Sequence, residues 1–213
     1  WDLSHAAGAI DLDLTASGAW MAAGCTYKFL NGGPGAPAYV YVRGDLAVRL
    51  DSPISGWMGH ARPFAFDGGY TPRLGVARFA SGTPGILSLA ALEGALSAFD
   101  GVDMRMAAQK AQRLGDLAIA RTQALGLEVI SPLDAAHRGG HVSVRHAEGY
   151  AVVQALIARG VIADFRAPDA MRFGVSPLFV RYVDVWDAMD ALGDVLASGA
   201  WDRPEFRKRA AVT

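Results

Sequence analysis

Gly24-Cys25-Thr26-Tyr27-Lys28-Phe29-Leu30-Asn31-Gly32-Gly33-Pro34-Gly35 is the most informative stretch of this 213-residue chain. The residues from Trp20 to Tyr27 are apolar enough for a strand, and Ala38 to Val42 is a second strand candidate beyond the glycine loop. An amine at the end of an apolar strand is partly desolvated, and such a lysine can form a Schiff base with a carbonyl. On the strand pattern alone, an ordinary exposed strand-end lysine is the simpler reading of Lys28.

Upstream, Asp2-Leu3-Ser4-His5 also reads as a strand running into a loop, and it supplies a carboxylate and an imidazole. Pyridoxal phosphate needs an acid beside its pyridine nitrogen, because the protonated ring is the electron sink that stabilises a carbanion. An Asp, a His and a Lys on neighbouring strand ends suit that cofactor, although each is a weak signal by itself. Gly32, Gly33 and Gly35 do not form a nucleotide-binding loop, since Ala36-Pro37 stands where a Walker sequence requires Lys and Ser or Thr. They are read as residues that let the chain turn tightly beside Lys28.

Composition sets outer limits. Hydrophobic residues make up 52% of the chain and charged residues 19%, so a packed core is expected rather than disorder. With 20 basic and 21 acidic side chains the net charge is -1, which leaves no one-sign field to attract a phosphate backbone, and no nucleic-acid partner is expected. The lone cysteine, Cys25, can make neither an internal disulfide nor a Cys-rich zinc site, and it points to a reducing, cytoplasmic setting. The apolar stretch from Gly85 to Phe99 is interrupted by Ser88, Glu93 and Ser97 and is too short to cross a bilayer, so no membrane partner is expected. A start at Trp1, with no Met and no signal sequence, reads as a cut in a longer protein.

Residues 44–85 are irregular and rich in Gly, Pro and aromatics, as functional loops and interfaces often are. Helical spacing then takes over. Leu89, Leu92, Leu96 and Phe99 predict one apolar stripe on a helix ended by Gly101. Asp103 caps a second helix, with Met106, Leu114, Leu117 and Leu125 along one side and Gly126 as its stop. Strands are expected over Leu127 to Ile130, the alternating His141 to His146, Val161 to Arg166 and Met171 to Gly174. One helix fills Ala151 to Arg159, another carries Val185, Met189, Leu192 and Leu196, and the tail from Trp201 reads as a solvated, frayed end. Two α/β lobes follow, divided in the long helix near residues 100–115.

The wording of several segments adds a resemblance. Trp1-Asp2-Leu3-Ser4-His5-Ala6-Ala7-Gly8-Ala9, the Gly24 to Gly35 stretch with Ala36-Pro37-Ala38, Gly56-Trp57-Met58-Gly59-His60, Arg78-Phe79-Ala80-Ser81-Gly82-Thr83-Pro84 and Met171-Arg172-Phe173-Gly174-Val175-Ser176-Pro177-Leu178 together resemble the kynureninases. These are pyridoxal-phosphate hydrolases of the aspartate-aminotransferase fold, class V branch. The resemblance implies an α/β chain: the C-terminal part of a fold-type I large domain over 1–105, with a mainly parallel sheet and helices, then a small α/β domain over 106–213. It implies that Lys28 forms the internal aldimine, that Asp2 pairs with the pyridinium nitrogen, and that His5 lies near the cofactor ring. Tyr27 would bond the cofactor phosphate and act in proton transfer, while Trp57 and Thr83 would come from the partner of a homodimer. Arg172 would take the substrate carboxylate and His60 would line the pocket for its aromatic ring. The implied reaction is cleavage of L-kynurenine, or also 3-hydroxykynurenine, by water to anthranilate and L-alanine, with Tyr27 or a histidine as acid or base.

Other readings exist for these residues. Tyr27 and Trp57 also fit as core aromatics, Thr83 as a turn residue before Pro84, and His60 as a structural histidine. His137, His141 and His146 lack metal-ligand spacing and are read as structural, and no metal site is expected. Arg145, Arg166 and Arg181 compete with Arg172 for a carboxylate. A class V aminotransferase and a cysteine desulfurase are alternatives inside the fold; the second is disfavoured because Cys25 lies in a strand rather than on a mobile loop. Outside it, the chain is a catalytically incomplete fragment or interaction module.

Overall fold

The hairpin that carries Lys28 sets the geometry of the first part of the chain. In the computed structural model, which describes residues 1–209, Met21–Cys25 (β1) and Ala38–Val42 (β2) pair antiparallel with Met21 opposite Val42 and Cys25 opposite Ala38. Alternation along β1 buries Ala22 and Gly24, so the strand end delivers Thr26 inward and Tyr27 outward. On the other edge of β1 the backbone of Trp1 to Leu3 adds a parallel bridge, Asp2 to Ala23, with the Leu3 N–H donating to the Ala23 carbonyl at 2.8 Å. The sheet expected to be mainly parallel shows its parallel character in this part only at that bridge.

The chain divides into two units, Trp1–Ala7 with Leu12–Gly101 and Gly8–Asp11 with the residues from Val102 onward. In the first unit, the short helix Gly44–Ala47 (α1) is followed by single turns at Trp57–Gly59 and Gly75–Phe79 and by the helix Ile86–Leu96 (α2). Arg78 is buried and donates to the carbonyls of Leu50 (2.9 Å) and Arg73 (3.2 Å), tying these loops together. α2 corrects one expectation. Of its stripe only Leu92 is buried, whereas Leu89 and Leu96 are 39% and 40% exposed. Ile86 and Leu87 are more exposed still, so the leucine spacing did not single out a buried face.

The second unit has one core. Asp103 caps Met104–Ala124 (α3) by accepting from the Arg105 N–H at 2.9 Å, and Gly126 follows its end at φ 75°. The buried row of α3 is Ala107, Ala111, Leu114, Ala118, Ile119 and Thr122, whose small members let the helix approach its neighbours. Met106, expected on that row, is 68% exposed, and Leu125 sits at the C-cap, 38% exposed. A four-stranded antiparallel sheet runs in the order Glu128–Val129 (β3), His141–Arg145 (β4), Ala170–Gly174 (β6), Asp164–Arg166 (β5). Val142, Val144, Met171 and Phe173 on one face pack into a core with residues of α3, Gly149–Ile157 (α4) and Tyr182–Ser198 (α5). The tail is less frayed than expected. Pro204–Arg207 (α6) forms, Trp201 and Phe206 pack against the core, and Arg207 pairs with Asp202 and Glu148; residues 210–213 lie outside the described residues.

Candidate active site

The loop after Lys28 is held by its own backbone. The Gly32 N–H donates to the Thr26 carbonyl and the Asn31 N–H to the Lys28 carbonyl, both at 2.9 Å, and the Thr26 hydroxyl donates to the Pro37 carbonyl at 2.5 Å. Asn31, Gly33 and Gly35 all take positive φ, the conformation that the glycine-rich wording anticipated. A Cβ on Gly32 would come within 2.9 Å of the Thr26 oxygen. Lys28 is thus fixed at its backbone and half-buried, with its Nζ 5.0 Å from the centre of the exposed Tyr27 ring.

Asp2 is presented on the neighbouring segment, where its Oδ1 accepts from the Ser4 N–H at 2.8 Å. The Ser4 side chain and backbone hold the Asp2 carboxyl below its usual range, and the positive charges of Lys28 and His5 act in the same direction. Asp2, His5, Tyr27 and Lys28 therefore share one neighbourhood around the end of β1. Sequence reasoning missed Tyr39. Its ring stands against Gly24, where a Cβ would meet the phenol oxygen at 2.5 Å. Burial raises the Tyr39 phenol, with the Cys25 and Asp2 charges adding to the effect. An invitation for that ring was legible only as the glycine at 24, in a strand otherwise built from residues with side chains. Cys25 is partly buried, its Sγ turned toward the Ser4 carbonyl at 3.8 Å.

Trp57, His60 and Thr83 form a second set. Gly56 and Gly59 approach the backbone of Arg78 to Ser81 so closely that a Cβ on either would stand within 2.4 Å of a carbonyl oxygen, and the Met58 N–H donates to Ser81 at 3.1 Å. Trp57 is 44% exposed and makes an edge contact with Phe64, and Thr83 is exposed in the turn before α2. His60 is buried edge-on to Tyr70, and its Nδ1 accepts from the Arg62 N–H at 2.9 Å. That bond places the ring proton of a neutral His60 on Nε2.

Arg172 belongs to the second unit, on β6, with its side chain 18% exposed and its guanidinium forked onto Asp164. The other three arginines are paired as well: Arg145 with Glu128 and Asp169, Arg181 in a capping box with Asp184, and Arg166, more loosely, with the same Asp164 at 3.6 Å. His137 pairs with Asp134 on an exposed turn, and His146 accepts from the Glu148 N–H and meets Trp201 edge-on.

A kynureninase of Pseudomonas fluorescens is 47% identical to this chain over 217 aligned residues, which cover all of the chain and 52% of that protein. Along its whole length the chain is similar to kynureninases. A kynureninase of Burkholderia mallei (strain SAVP1) is 46% identical over the same coverage, and the family description "Kynureninase C-terminal domain" matches residues 107–192. The chain spans about half the length of the curated kynureninases it matches and corresponds to their C-terminal part. Among solved structures, the fold is similar to the cystine C–S lyase C-DES in complex with cysteine persulfide, at TM-score 0.73 and 19% identity, covering 89% of this chain and 50% of that one. It is also similar to the apo cysteine desulfurase of Thermococcus onnurineus NA1, at TM-score 0.74 and 17% identity, with 92% and 52% covered. The fold is that of the C-terminal part of class V pyridoxal-phosphate enzymes.

Proposed function

We infer that this chain is the lysine-bearing part of a kynureninase, which cleaves L-kynurenine, or also 3-hydroxykynurenine, with water to anthranilate and L-alanine. The observation that carries the reading is the 47% identity to a kynureninase along the whole chain. The residues around β1 fit pyridoxal phosphate: an amine fixed at its backbone stands near a carboxylate that is held ionised, and a phenol lies beside the amine. When bound, that cofactor supplies an electron sink for the carbon next to the substrate amine. Asp2 would accept a hydrogen bond from a pyridinium N–H and so keep that proton on the ring, an anion's task that its lowered carboxyl suits.

With the cofactor bound, Lys28 would hold it through its ε-amine, and the free amine would remove and return a proton at the substrate α carbon. Tyr27 would hydrogen-bond the cofactor phosphate and move protons, and His5 would flank its ring. Arg172 holds the substrate carboxylate. His60 lines the aromatic pocket, with Nε2 as its donor. Trp57 and Thr83, both exposed in one copy, reach the cofactor phosphate of a second copy in a homodimer. Residues 1–105 belong to the cofactor-binding large domain and 106–213 form the small domain, and the protein acts in the cytoplasm. None of the helices of the described residues is long and apolar enough to cross a membrane.

Two measurements on the purified protein test the reading together. Borohydride reduction of the cofactor-loaded protein followed by peptide mapping places the added mass on Lys28, and anthranilate fluorescence rises on addition of L-kynurenine. Cofactor binding without anthranilate release would reject kynureninase activity of this chain, leaving another class V activity or a catalytically incomplete part, and an unmodified Lys28 would reject the site.

A further inference from the structure

The sheet of the second unit has one apolar and one polar face. Along β4 and β6 every second residue is buried, Val142 and Val144 on one strand and Met171 and Phe173 on the other. The intervening residues face the opposite way, and the register sets Ser143 opposite Arg172 and Arg172 opposite Asp164. Arg172 is therefore no core residue with an incidental partner. It stands mid-row on the polar face, between a serine and a carboxylate.

The details of the fork matter. Asp164 accepts from Nε at 3.0 Å and 3.2 Å through its two oxygens, and from Nη2 through Oδ2. This engages the Nε–Nη2 edge of the guanidinium and fixes its plane, because a two-point contact between planar groups leaves little rotation. Among the described residues no second carboxylate pairs with Arg172, so the Nη1–Nη2 edge is left for another planar acceptor. Charge does not forbid that acceptor. Arg166 stands 3.6 Å from the same Asp164 oxygen, so the group Arg166, Asp164 and Arg172 keeps one net positive charge.

We propose that Asp164 is the positioning residue of Arg172, holding one edge of its guanidinium so that the other grips the carboxylate of the amino-acid substrate. This rests on the reading of Arg172 given above and extends it to a residue that does not touch substrate. Asp164 acts on recognition of the carboxylate. It therefore acts on the preference for a free acid over the corresponding carboxamide, and a merely structural role leaves that preference unchanged.

The test uses the cofactor-loaded protein with L-kynurenine and its carboxamide, and compares kcat/KM for the two. Arg172→Ala collapses the preference for the acid. Asp164→Asn, nearly the same shape without the charge, lowers it at least about tenfold, chiefly through KM for the acid, the size expected for one mispositioned charge-assisted hydrogen bond. Asp164→Glu, which restores the charge, recovers most of the preference, and this second variant guards against a folding defect in the first. If Arg172→Ala leaves the preference intact, the reading of Arg172 fails and the inference with it. If Arg172→Ala abolishes the preference while Asp164→Asn keeps it, or if Asp164→Glu loses as much as Asp164→Asn, the positioning role alone is refuted.

Discussion

Replacing Gly56 by alanine tests whether the loop bearing Trp57 and His60 is held against the Ser81 turn by close backbone approach. Gly56 has φ -137° and ψ 157°, which any residue adopts, so the substitution adds no backbone strain and isolates the steric effect. The new Cβ would fall 2.1 Å from the Ser81 carbonyl oxygen and 2.4 Å from its C and Cα atoms. All three are backbone atoms, so no change of rotamer relieves the clash. The segments must separate by more than an ångström, which also breaks the Met58 N–H bond to Ser81 at 3.1 Å. Overpacking of this kind costs about 1–3 kcal/mol and a lost hydrogen bond about 1 kcal/mol. In a chain of this size the sum lowers Tm by roughly 5–15 °C. Gly44→Ala is the matched control: a Cβ there meets nothing within 4 Å, and the residue opens α1, so stability holds or rises by up to about 1 kcal/mol. Thermal unfolding followed by circular dichroism reads both variants. A Gly56→Ala protein that melts with the wild type, or a Gly44→Ala protein that falls as far, would refute the close-approach argument.

Three further perturbations bear on other parts of the chain. Lys28→Ala abolishes borohydride-stable labelling by the cofactor and lowers anthranilate release by at least about 100-fold, the lower range for a lost proton-transfer group; activity near wild type would remove Lys28 from the site. Leu114→Ala opens a cavity at a fully buried position of α3 and costs about 2–5 kcal/mol by urea unfolding, whereas a cost under about 1 kcal/mol would show that the core closes around the gap. His146 is held below its ordinary value of 6.5 by burial, with Glu148 pulling the other way. The unfolded chain takes up that proton first as pH falls, so stability is present above the ordinary value and is withdrawn on acidification. His146→Asn, which can still accept from the Glu148 N–H, flattens the stability profile between about pH 5 and 7; an unchanged slope would assign the pH dependence elsewhere.

Local signals were the legible ones. The second strand, Ala38–Val42, was readable to the residue, as were Asp103 as a cap and the stop at Gly126, because caps and glycines with positive φ act within a turn of themselves. Buried faces were read less well. Leu117 and Leu125 suggested a row on α3 that in fact runs through Ala107, Ala111, Leu114 and Ala118, since close packing of α3 selects small side chains as readily as long ones. On α5 the row Val185, Met189 and Leu192 was right, with Val195 fully buried where Leu196 was expected and is only partly so.

The same division between local and distant governs the candidate site. Lys28, Tyr27 and the glycine turn are contiguous, so their arrangement could be anticipated from one segment, and the Asp2 strand needed only one more neighbour. Arg172 could be preferred over Arg145, Arg166 and Arg181 only by the wording around it. What separates Arg172 from Arg145 physically is the partner each meets across the sheet: β5 brings Asp164 opposite Arg172, while β3 carries the Glu128 that engages Arg145. Strand register is a property of the folded sheet and leaves no mark in the residues next to an arginine. An arginine that can receive a ligand is therefore recognised by which edge of its guanidinium is already taken, and that can be seen only after the sheet has formed.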